Sequence, residues 1–432
     1  MRKIKRPSTN LIFSVFLSVL VLISAEFNHI FISLIILGIS LFGIKKPEAV
    51  IPTFFLTSLS SDYFVAFPGI GFTRIFALIL ITGFLLNSKR LSFRKEGLLG
   101  LAYIFSSTLV TFLFSNHREV NSLLSMGLNM LVFIIFANYK FSRDEVMKIF
   151  KSILISIIIM FTFFSFQFVL NPDFLQNGRL TISEDVNENR FAMMFAQLAA
   201  YTLGFSVVVK KRFRKILMLF FSILGIYFIL LSGSRSAFIG IVFAAIISFV
   251  ILGIRNRKHR RAIYIFALLA ICGYLGFEYL VSSNPILAYR FNLEQIISSG
   301  GTRRWPRVVT ELKYVIPNNL FFGVGLNSIN EYIATSKYMS DPGSSHNIIV
   351  SMLAQVGIIG FVAYMSFYYK VIMKLIKAIR FNIIHIIPFM LILTAIFNGI
   401  GEVMYSGRLF WNALSLAGLS LGITQKNGND VN

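Results

Sequence analysis

The chain has 432 residues, of which 56% are hydrophobic and only 14% are charged, and its mean hydropathy is +0.75. In soluble domains roughly a quarter of all residues are charged, so this composition excludes an ordinary soluble protein. The net charge of +23 would suit a nucleic-acid-binding protein, but the placement of the charges argues against that class. Cys272, which lies in an apolar run, is the single cysteine, and an internal disulfide needs two.

Apolar runs recur along the whole chain between short polar breaks. A helix of about 20 residues crosses the hydrocarbon core of a bilayer, whereas a transmembrane β-barrel would alternate apolar and polar residues. The pattern predicts an all-α integral membrane protein, a polytopic bundle of about 14 transmembrane helices with one long extracytoplasmic loop between helices 11 and 12. The predicted spans are residues 11–25, 27–44, 49–66, 73–88, 97–115, 121–138, 149–170, 191–209, 216–232, 236–254, 262–281, 346–369, 381–400 and 409–424.

Basic residues are concentrated in alternate loops. With a cytoplasmic N-terminus, most of the 41 lysines and arginines fall in cytoplasmic loops such as 210–215 and 255–261, and most acidic residues fall on the other side. This is the positive-inside distribution of membrane proteins. It accounts for the whole net charge, so no nucleic-acid partner is expected, and it predicts that both termini are cytoplasmic.

The longest polar segment, residues 283–345, lies on the extracytoplasmic side in this topology. Loops of this length are uncommon unless they have a function of their own. Apolar residues at helical spacing predict a helix over 303–315, which Pro317 ends before Asn318 and Asn319. The groups able to carry chemistry are concentrated in and around this loop.

Arginines at the predicted outer boundary are candidates for binding an anion. Arg235 lies at a membrane edge among small residues, where a charge is costly unless it meets an anion or a polar cavity. The alternative is an interfacial arginine that extends to water. The loop holds Arg303, Arg304 and Arg307, whose planar guanidinium groups suit bidentate phosphate recognition. Their alternative is a solvated basic face.

His346 is the candidate proton acceptor. It starts the predicted span 346–369, and the unperturbed pKa of histidine lies near neutrality, so it could accept a proton from a hydroxyl. A purely structural histidine is the alternative. Asn347 could orient a substrate or cap the helix, and Gly357 and Gly360 have the spacing of small residues that allow close helix contact.

Metal and nucleotide chemistry have no sequence support. Five histidines and one cysteine provide no cluster with zinc-ligand spacing, and the chain has no phosphate-binding loop motif. We therefore predict neither a metal nor a cofactor.

Five motifs occur in order between residues 189 and 362, all on the predicted outer side. They are Asn189-Arg190-Phe191-Ala192, Leu231-Ser232-Gly233-Ser234-Arg235-Ser236, Gly301-Thr302-Arg303, Pro317-Asn318-Asn319-Leu320-Phe321-Phe322-Gly323-Val324-Gly325, and His346-Asn347 with Gln355-Val356-Gly357-Ile358-Ile359-Gly360. In this combination the chain resembles the O-antigen ligase and polymerase superfamily. The resemblance divides the chain into N-terminal transmembrane helices (1–188), an O-antigen ligase-like core (189–369) and C-terminal transmembrane helices with a tail (370–432).

The resemblance implies a metal-independent glycosyltransferase of the bacterial cytoplasmic membrane whose donor is a glycan on a polyprenyl pyrophosphate. His346 would be the general base, and Arg303 and Arg235 would stabilise the leaving group; Arg303 is preferred to Arg304 as the motif arginine. The residues implied to bind substrate are Arg304, Arg307, Asn347, Asn189 and Arg190. No motif supplies a carboxylate nucleophile, so the reaction would invert the anomeric centre.

Three functions fit this resemblance to different degrees. A polymerase that joins repeat units into an O-antigen or capsule is preferred, partly because abundant Ile, Phe, Lys and Asn suggest the AT-rich genome of a capsule-forming organism. A ligase that passes a glycan to a lipid or protein is the first alternative. A transporter or flippase is the second, although the spans lack the mid-membrane charges and inverted repeat expected of one. The implied partners are the lipid-linked donor and acceptor, membrane lipid, and a chain-length regulator and flippase of the same pathway.

Overall fold

The computed structural model describes most of the chain. The described residues are 9–27, 30–59, 63–67, 70–92, 95–114, 120–170, 175–176, 179–180, 188–255, 278, 281–283, 288, 292, 304–336, 345, 347–399 and 407–423. The predicted site residues Arg303 and His346 lie outside them, as does nearly all of the predicted span 262–281.

The described chain is predominantly α-helical, as the sequence predicts. Its helices are α1 (Thr9–Phe27), α2 (Ile30–Leu41), α3 (Ile51–Leu59), α4 (Phe72–Leu86), α5 (Lys95–Phe114), α6 (Val120–Asn138), α7 (Arg143–Leu170), α8 (Glu188–Val208), α9 (Arg212–Leu231), α10 (Arg235–Arg255), α11 (Arg304–Thr310), α12 (Ile316–Asn318), α13 (Ile329–Ser336), α14 (Ile348–Ile379), α15 (Ile386–Asn398) and α16 (Arg408–Leu421). Short 3₁₀ turns cover Phe42–Ile44, Pro47–Ala49, Ser88–Arg90 and Ile383–His385, and a π-helical turn covers Glu311–Val315.

Two small antiparallel hairpins, which the sequence analysis did not predict, lie between helices. Strand β1 (Val65–Phe67) pairs with β2 (Ile70–Gly71), and β3 (Leu175–Gln176) pairs with β4 (Arg179–Leu180). Strands of two or three residues are too short for an alternating pattern to reveal them.

Six helices among the described residues are long and apolar enough to cross a membrane, judged by length and composition. They are Thr9–Glu26, Arg143–Leu170, Glu188–Val208, Arg212–Leu231, Arg235–Arg255 and Ile348–Ile379. These helices support the predicted membrane protein, while the number of about 14 spans stays a prediction.

The predicted span 49–66 is wrong as a single helix. It divides between α3 and β1, and α3 has only nine residues. At about 1.5 Å per residue, such a helix is too short to cross a bilayer. All nine residues of α3 are buried, so its mostly apolar composition reflects a position inside the protein.

The packing divides the chain into two compact units. Unit 1 contains Met1–Gly97, Leu128–Asn171 and Leu414–Asn432, and unit 2 contains Leu98–Gly127 and Pro172–Ala413. In unit 1, buried hydroxyl groups connect α1, α3 and α7. Ser18 Oγ lies 2.9 Å from Ser156 Oγ and 3.1 Å from Thr53 Oγ1. Hydrogen bonds of this kind hold apolar helices together where burial in lipid provides little driving force.

Unit 2 is centred on α8, which is buried along most of its length. Its Gln197 side chain donates to the Leu391 carbonyl of α15 over 3.2 Å. On the other side of α15, Gly240 of α10 lies directly against Asn398. The end of α15 at Asn398 therefore packs against the first turns of α10.

We predict that Gly240→Ala destabilises unit 2. The new Cβ would overlap Asn398 Oδ1 and lie 3.2 Å from the Asn398 backbone nitrogen, so the Asn398 side chain must turn away and the two backbones must shift slightly. Overpacking of this kind costs about 1–3 kcal/mol, which should lower the thermal unfolding midpoint of the purified protein. Gly127→Ala in α6 is the control: nothing lies within 4 Å of its Cβ position, so its midpoint should stay or rise slightly. Equal midpoints for the two variants would contradict this packing.

Helix α14 is broken at Gly357, whose backbone has φ 63° and ψ −174°. In an unbroken helix, the amides of Ile358 and Ile359 would donate to the carbonyls of Ala354 and Gln355. The break separates these groups, and each needs another partner because unpaired buried peptide groups are costly.

The segment 320–325 supplies all four partners. The amides of Val324 and Gly325 donate to the carbonyls of Ala354 and Gln355, each over 2.9 Å. In return, Ile358 N donates to the Leu320 carbonyl over 2.8 Å and Ile359 N to the Phe321 carbonyl over 3.4 Å. The loop backbone thus replaces the two missing helical bonds, and we call this crossing the helix-break junction.

Two glycines make the helix-break junction possible. A Cβ at Gly357 would overlap the Phe321 carbonyl, and a Cβ at Gly323, where φ is 71°, would overlap the Gln355 carbonyl. The prediction that Gly357 serves close helix–helix contact is therefore wrong. It is required because the backbone has positive φ and another chain segment crosses at that point.

A hydrophobic cluster supports the junction from one side. Its buried members are Val315, Val324, Ile329, Ile333 and Ala354, with Ile316 and Tyr332 packed against them. The Gln355 side chain adds a polar tie, because its Oε1 accepts from Asn327 N over 2.7 Å. The segment 315–333 is thereby packed onto the first half of α14.

Candidate functional site

The Ser232–Ser236 motif forms the tight turn between α9 and α10. Ser232 Oγ donates to the Ile229 carbonyl over 2.6 Å, and Gly233, at φ 65°, donates its amide to Leu230 O over 2.9 Å. The side chains of Ser232 and Ser234 are buried. The turn fixes Arg235 as the first residue of α10, where its side chain is half-buried.

Three of the predicted arginines lie in the first turn of a helix: Arg190 in α8, Arg235 in α10 and Arg304 in α11. The positive end of the helix dipole disfavours a cation there by about 0.3–1 kcal/mol, whereas it favours an anion. Asn189, beside Arg190, is half-buried, and Arg190 itself is exposed. A helix start that carries an arginine attracts anions through both its backbone and its side chain.

The starts of α8 and α10 lie at the same end of unit 2. Only residues 209–211 separate α8 from α9, and only 232–234 separate α9 from α10. Such short connections make successive helices antiparallel, so α8 and α10 run in the same direction. The Asn189–Arg190 pair and Arg235 are therefore at one end of the bundle.

The start of α14 is anchored at the same end. Asn347 is its N-cap, with Oδ1 accepting from Ile349 N over 3.0 Å and Val350 N over 3.2 Å. The Ile348 amide donates to the Gly399 carbonyl over 2.8 Å, just after the end of α15. Because α15 ends against the first turns of α10, the starts of α10 and α14 are near each other. Of the two roles considered for Asn347, the structure shows capping.

The predicted loop helix is present. It runs from Arg304 through the π-helical turn to Asn318, and Pro317 lies at its end as predicted. Arg307 is half-buried, whereas Val309 and Leu312 are exposed. The side that packs inward contains Thr310, Glu311 and Val315 instead of the apolar residues used to predict it.

Glu311 is a buried carboxylate that the sequence analysis did not single out. It is fully buried, and its Oε1 accepts from Ser345 N over 2.5 Å while its Oε2 accepts from Ser345 Oγ over 2.8 Å. Ser345 Oγ is also 3.2 Å from Ser351 Oγ in the first turn of α14. No sequence signal marked it, because one glutamate among apolar residues gives no indication of its burial.

Residues 220–365 match the family model described as O-antigen ligase. This segment of the chain is similar to the O-antigen ligase family. No curated protein matches the chain. The resemblance inferred from the sequence motifs is confirmed for this segment.

The matched segment, residues 220–365, includes most of the predicted site. Arg235, Arg304, Arg307 and Asn347 lie within it and are described, and Arg303 and His346 lie within its limits but outside the described residues. Asn189 and Arg190 precede it. Nothing in the structure tests the catalytic and substrate-binding roles assigned to these eight residues, so those roles stay predictions. In the described part of the chain, no group of three histidine, cysteine or acidic residues could hold a metal ion.

Proposed function

We propose that this membrane protein is a glycosyltransferase that polymerises polyprenyl-pyrophosphate-linked oligosaccharide units into a surface polysaccharide. The observation that carries the proposal is the similarity of residues 220–365 to the O-antigen ligase family. The geometry adds support, because the starts of α8, α10 and α14 gather at one end of unit 2 and bring cationic side chains there. A pyrophosphate-linked lipid is an anionic substrate that matches such an end.

The proposed reaction is a single displacement. A hydroxyl of the acceptor sugar attacks the anomeric carbon of the donor, and His346 takes the hydroxyl proton. The bond from the anomeric carbon to the pyrophosphate oxygen breaks, and its electron pair leaves with the lipid pyrophosphate. Arg235 and Arg303 stabilise the charge on that oxygen, which is the most effective place for fixed cations. Arg304 and Arg307, with Asn189 and Arg190, would hold the rest of the donor and acceptor.

Inversion is the expected outcome because no motif singles out a carboxylate nucleophile. A retaining reaction would need a carboxylate that reaches the anomeric carbon. Glu311 is the buried carboxylate closest in sequence to the loop motifs, and both of its oxygens already accept hydrogen bonds from Ser345. This engagement favours the inverting reaction.

Transport is a weaker proposal for this fold. Transporters commonly use broken helices whose freed backbone groups bind substrate or ions. The break in α14 resembles such a helix, but its freed carbonyls and amides bond to the segment 320–325. These four backbone groups are therefore engaged within the protein, which does not favour a solute site at the break.

The proposed location is the outer face of a bacterial cytoplasmic membrane. The basic loops would be cytoplasmic, so the starts of α8, α10 and α14 would face outward. The exposed Trp305, Val309 and Leu312 recur at helical spacing and would lie against the lipid surface beside Arg304. The lipid-linked substrates would reach the site laterally, and a chain-length regulator and flippase of the pathway are the proposed protein partners.

The test is a transfer assay with the purified protein in detergent and polyprenyl-pyrophosphate-linked repeat units, with products resolved by length. We expect a ladder of lengthening glycans, and Arg303→Ala should reduce it by about 10²-fold or more, the typical cost of losing one group that stabilises transition-state charge. Lys313→Ala, another cation of the same loop segment, is the matched control and should keep the ladder.

Each other result has a defined meaning. Transfer of one glycan to an added lipid or protein acceptor, without a ladder, would establish a ligase and overturn polymerisation. If the folded wild-type protein forms no bond with any acceptor, the glycosyltransferase proposal is wrong. Movement of the lipid-linked glycan across proteoliposomes without bond formation would then establish transport.

A further inference from the structure

We infer that Glu311 is a positioning residue that fixes the start of α14, and through it the segment that carries His346. The inference rests on the proposed function, since it assigns Glu311 to the support of the proposed base. It is carried by the hydrogen bonds of Glu311, Ser345 and Ser351, which no motif in the sequence indicated.

Glu311 reverses the ordinary pattern of a surface helix. The charged side chain is fully buried, while its neighbour Leu312 is 47% exposed and Val309 is 39% exposed. Burying a carboxylate is costly unless hydrogen bonds replace those it made to water. Departures of this kind from ordinary protein patterns occur mainly at functional sites. The residue also begins a π-helical turn, a local distortion that occurs frequently at functional sites.

The carboxylate holds a single residue in two ways. Ser345 presents both its amide and its hydroxyl to Glu311, so the position and the direction of the chain at residue 345 are fixed together. Hydrogen bonds to an ionised acceptor are about twice as strong as neutral ones. The contact of Ser345 Oγ with Ser351 extends this tie to the first turn of α14.

The other side of position 346 is held independently. The Asn347 side chain caps α14, and the next amide, Ile348 N, donates to Gly399 O. The residues on both sides of His346 are thus tied to different parts of unit 2. A base must lie within hydrogen-bond reach of its proton, so loosening either tie should reduce turnover more than binding.

Glu311 acts through Ser345 in this arrangement, because its side chain is fully buried and both of its oxygens accept hydrogen bonds from that serine. This makes its replacement by glutamine informative. A glutamine oxygen can accept from Ser345 N while its NH₂ group donates to Ser345 Oγ, and the serine proton can turn to Ser351. Glu311→Gln should therefore keep the geometry without the charge, whereas Glu311→Ala loses both.

The test compares Glu311→Gln, Glu311→Ala and Ser345→Ala in the transfer assay, with the exposed Glu331→Ala as the control. We expect Glu311→Ala to lower kcat by about 10-fold or more with little change in KM, since small misplacements at a reacting centre have effects up to about 10²-fold. Glu311→Gln should recover most of that loss and keep the pH profile of the wild type. Ser345→Ala removes only the hydroxyl bond to Glu311, so its kcat should lie between those of Glu311→Gln and Glu311→Ala. If Glu311→Ala does not fold, the lowered kcat of Ser345→Ala relative to the wild type is the test.

Hydrogen–deuterium exchange provides a readout that does not depend on activity. Peptides covering Ser345 to Ser351 should exchange faster in Glu311→Ala than in Glu331→Ala, and Glu311→Gln should resemble the wild type. Failure of transfer by the wild type would reject the proposed function, while this exchange pattern would still show that Glu311 fixes the start of α14.

Three results would overturn the inference. Wild-type kcat in folded Glu311→Ala would show that the carboxylate has only a structural role. If Glu311→Gln is as inactive as Glu311→Ala, or its pH profile moves, the charge takes part directly and positioning is wrong. Unchanged exchange at the start of α14 in Glu311→Ala would show that the tie does not hold that segment.

Discussion

Gly357→Ala is expected to disrupt the helix-break junction and to destabilise unit 2 severely. The backbone at this position has φ 63° and ψ −174°, a region that is essentially restricted to glycine. Strained backbone alone costs on the order of 1–3 kcal/mol. The added Cβ would also overlap the Phe321 carbonyl and the backbone that follows it, and backbone atoms cannot move aside as a side chain can. We expect a total loss above about 3 kcal/mol, a large share of the roughly 5–15 kcal/mol that stabilises a folded protein.

The measurement is thermal unfolding of the purified variant in detergent, with the fraction recovered as a folded monodisperse species as a second readout. Gly127→Ala is again the control, because it makes the same change in a helix with free space around it. Gly323→Ala should have a similar effect, and the double variant should lose less than the sum of the two, since either change alone undoes the same crossing. A normal midpoint for Gly357→Ala would show that α14 is not broken at this residue.

His346→Ala is expected to lower the turnover of the folded enzyme by about 10²–10⁴-fold, the usual contribution of a general base. The physical reason is that the attacking sugar hydroxyl is a poor nucleophile until a neighbouring group takes its proton. A base acts when it is deprotonated, so the wild-type rate should rise with pH through the neutral range and the variant should lose that rise. The measurement is kcat and KM for the lipid-linked substrate across pH.

The matched control is His259→Ala, which removes a histidine from the predicted cytoplasmic segment 255–261 and should leave both constants unchanged. A variant that raises KM but keeps kcat would place His346 in substrate binding. Wild-type kcat in His346→Ala would remove the proposed base altogether.

The helices could be predicted because bilayer-spanning segments need long apolar runs, and few other structures do. The predicted 236–254 and the observed α10, Arg235–Arg255, differ by one residue at each end. The end of the loop helix near Pro317 was predictable for a similar reason, since proline stops a helix by its own covalent structure. The span 49–66 was wrong because apolar composition does not distinguish a membrane helix from a short buried one.

The candidate site was less predictable, for reasons that differ by residue. Arg235 could be chosen because a charge at a membrane edge stands out from its neighbours. The pairing of residues 320–325 with α14 could not be predicted, because it is made by backbone groups that nearly every residue carries. Gly357 was noticed, but its spacing from Gly360 indicated helix packing, and only the backbone angle distinguishes that role from a break. The burial of Glu311 could not be predicted, because a sequence pattern assigns the apolar neighbours Val309 and Leu312 to the buried side and the charged residue to the exposed side.

The helix-break junction has a consequence for engineering this protein by recombination. Residues 320–325 and 354–359 complete each other's hydrogen bonding, so neither stretch is a self-contained module. A chimera that takes residues 320–325 from one protein and α14 from another would combine two stretches whose hydrogen-bonding groups are not matched to each other. Exchanges with crossover points before residue 311 and after residue 360 would transfer both stretches together, along with the serine that the buried carboxylate holds. Inheritance of the loop and the helix as a single block is the expected rule for active hybrids.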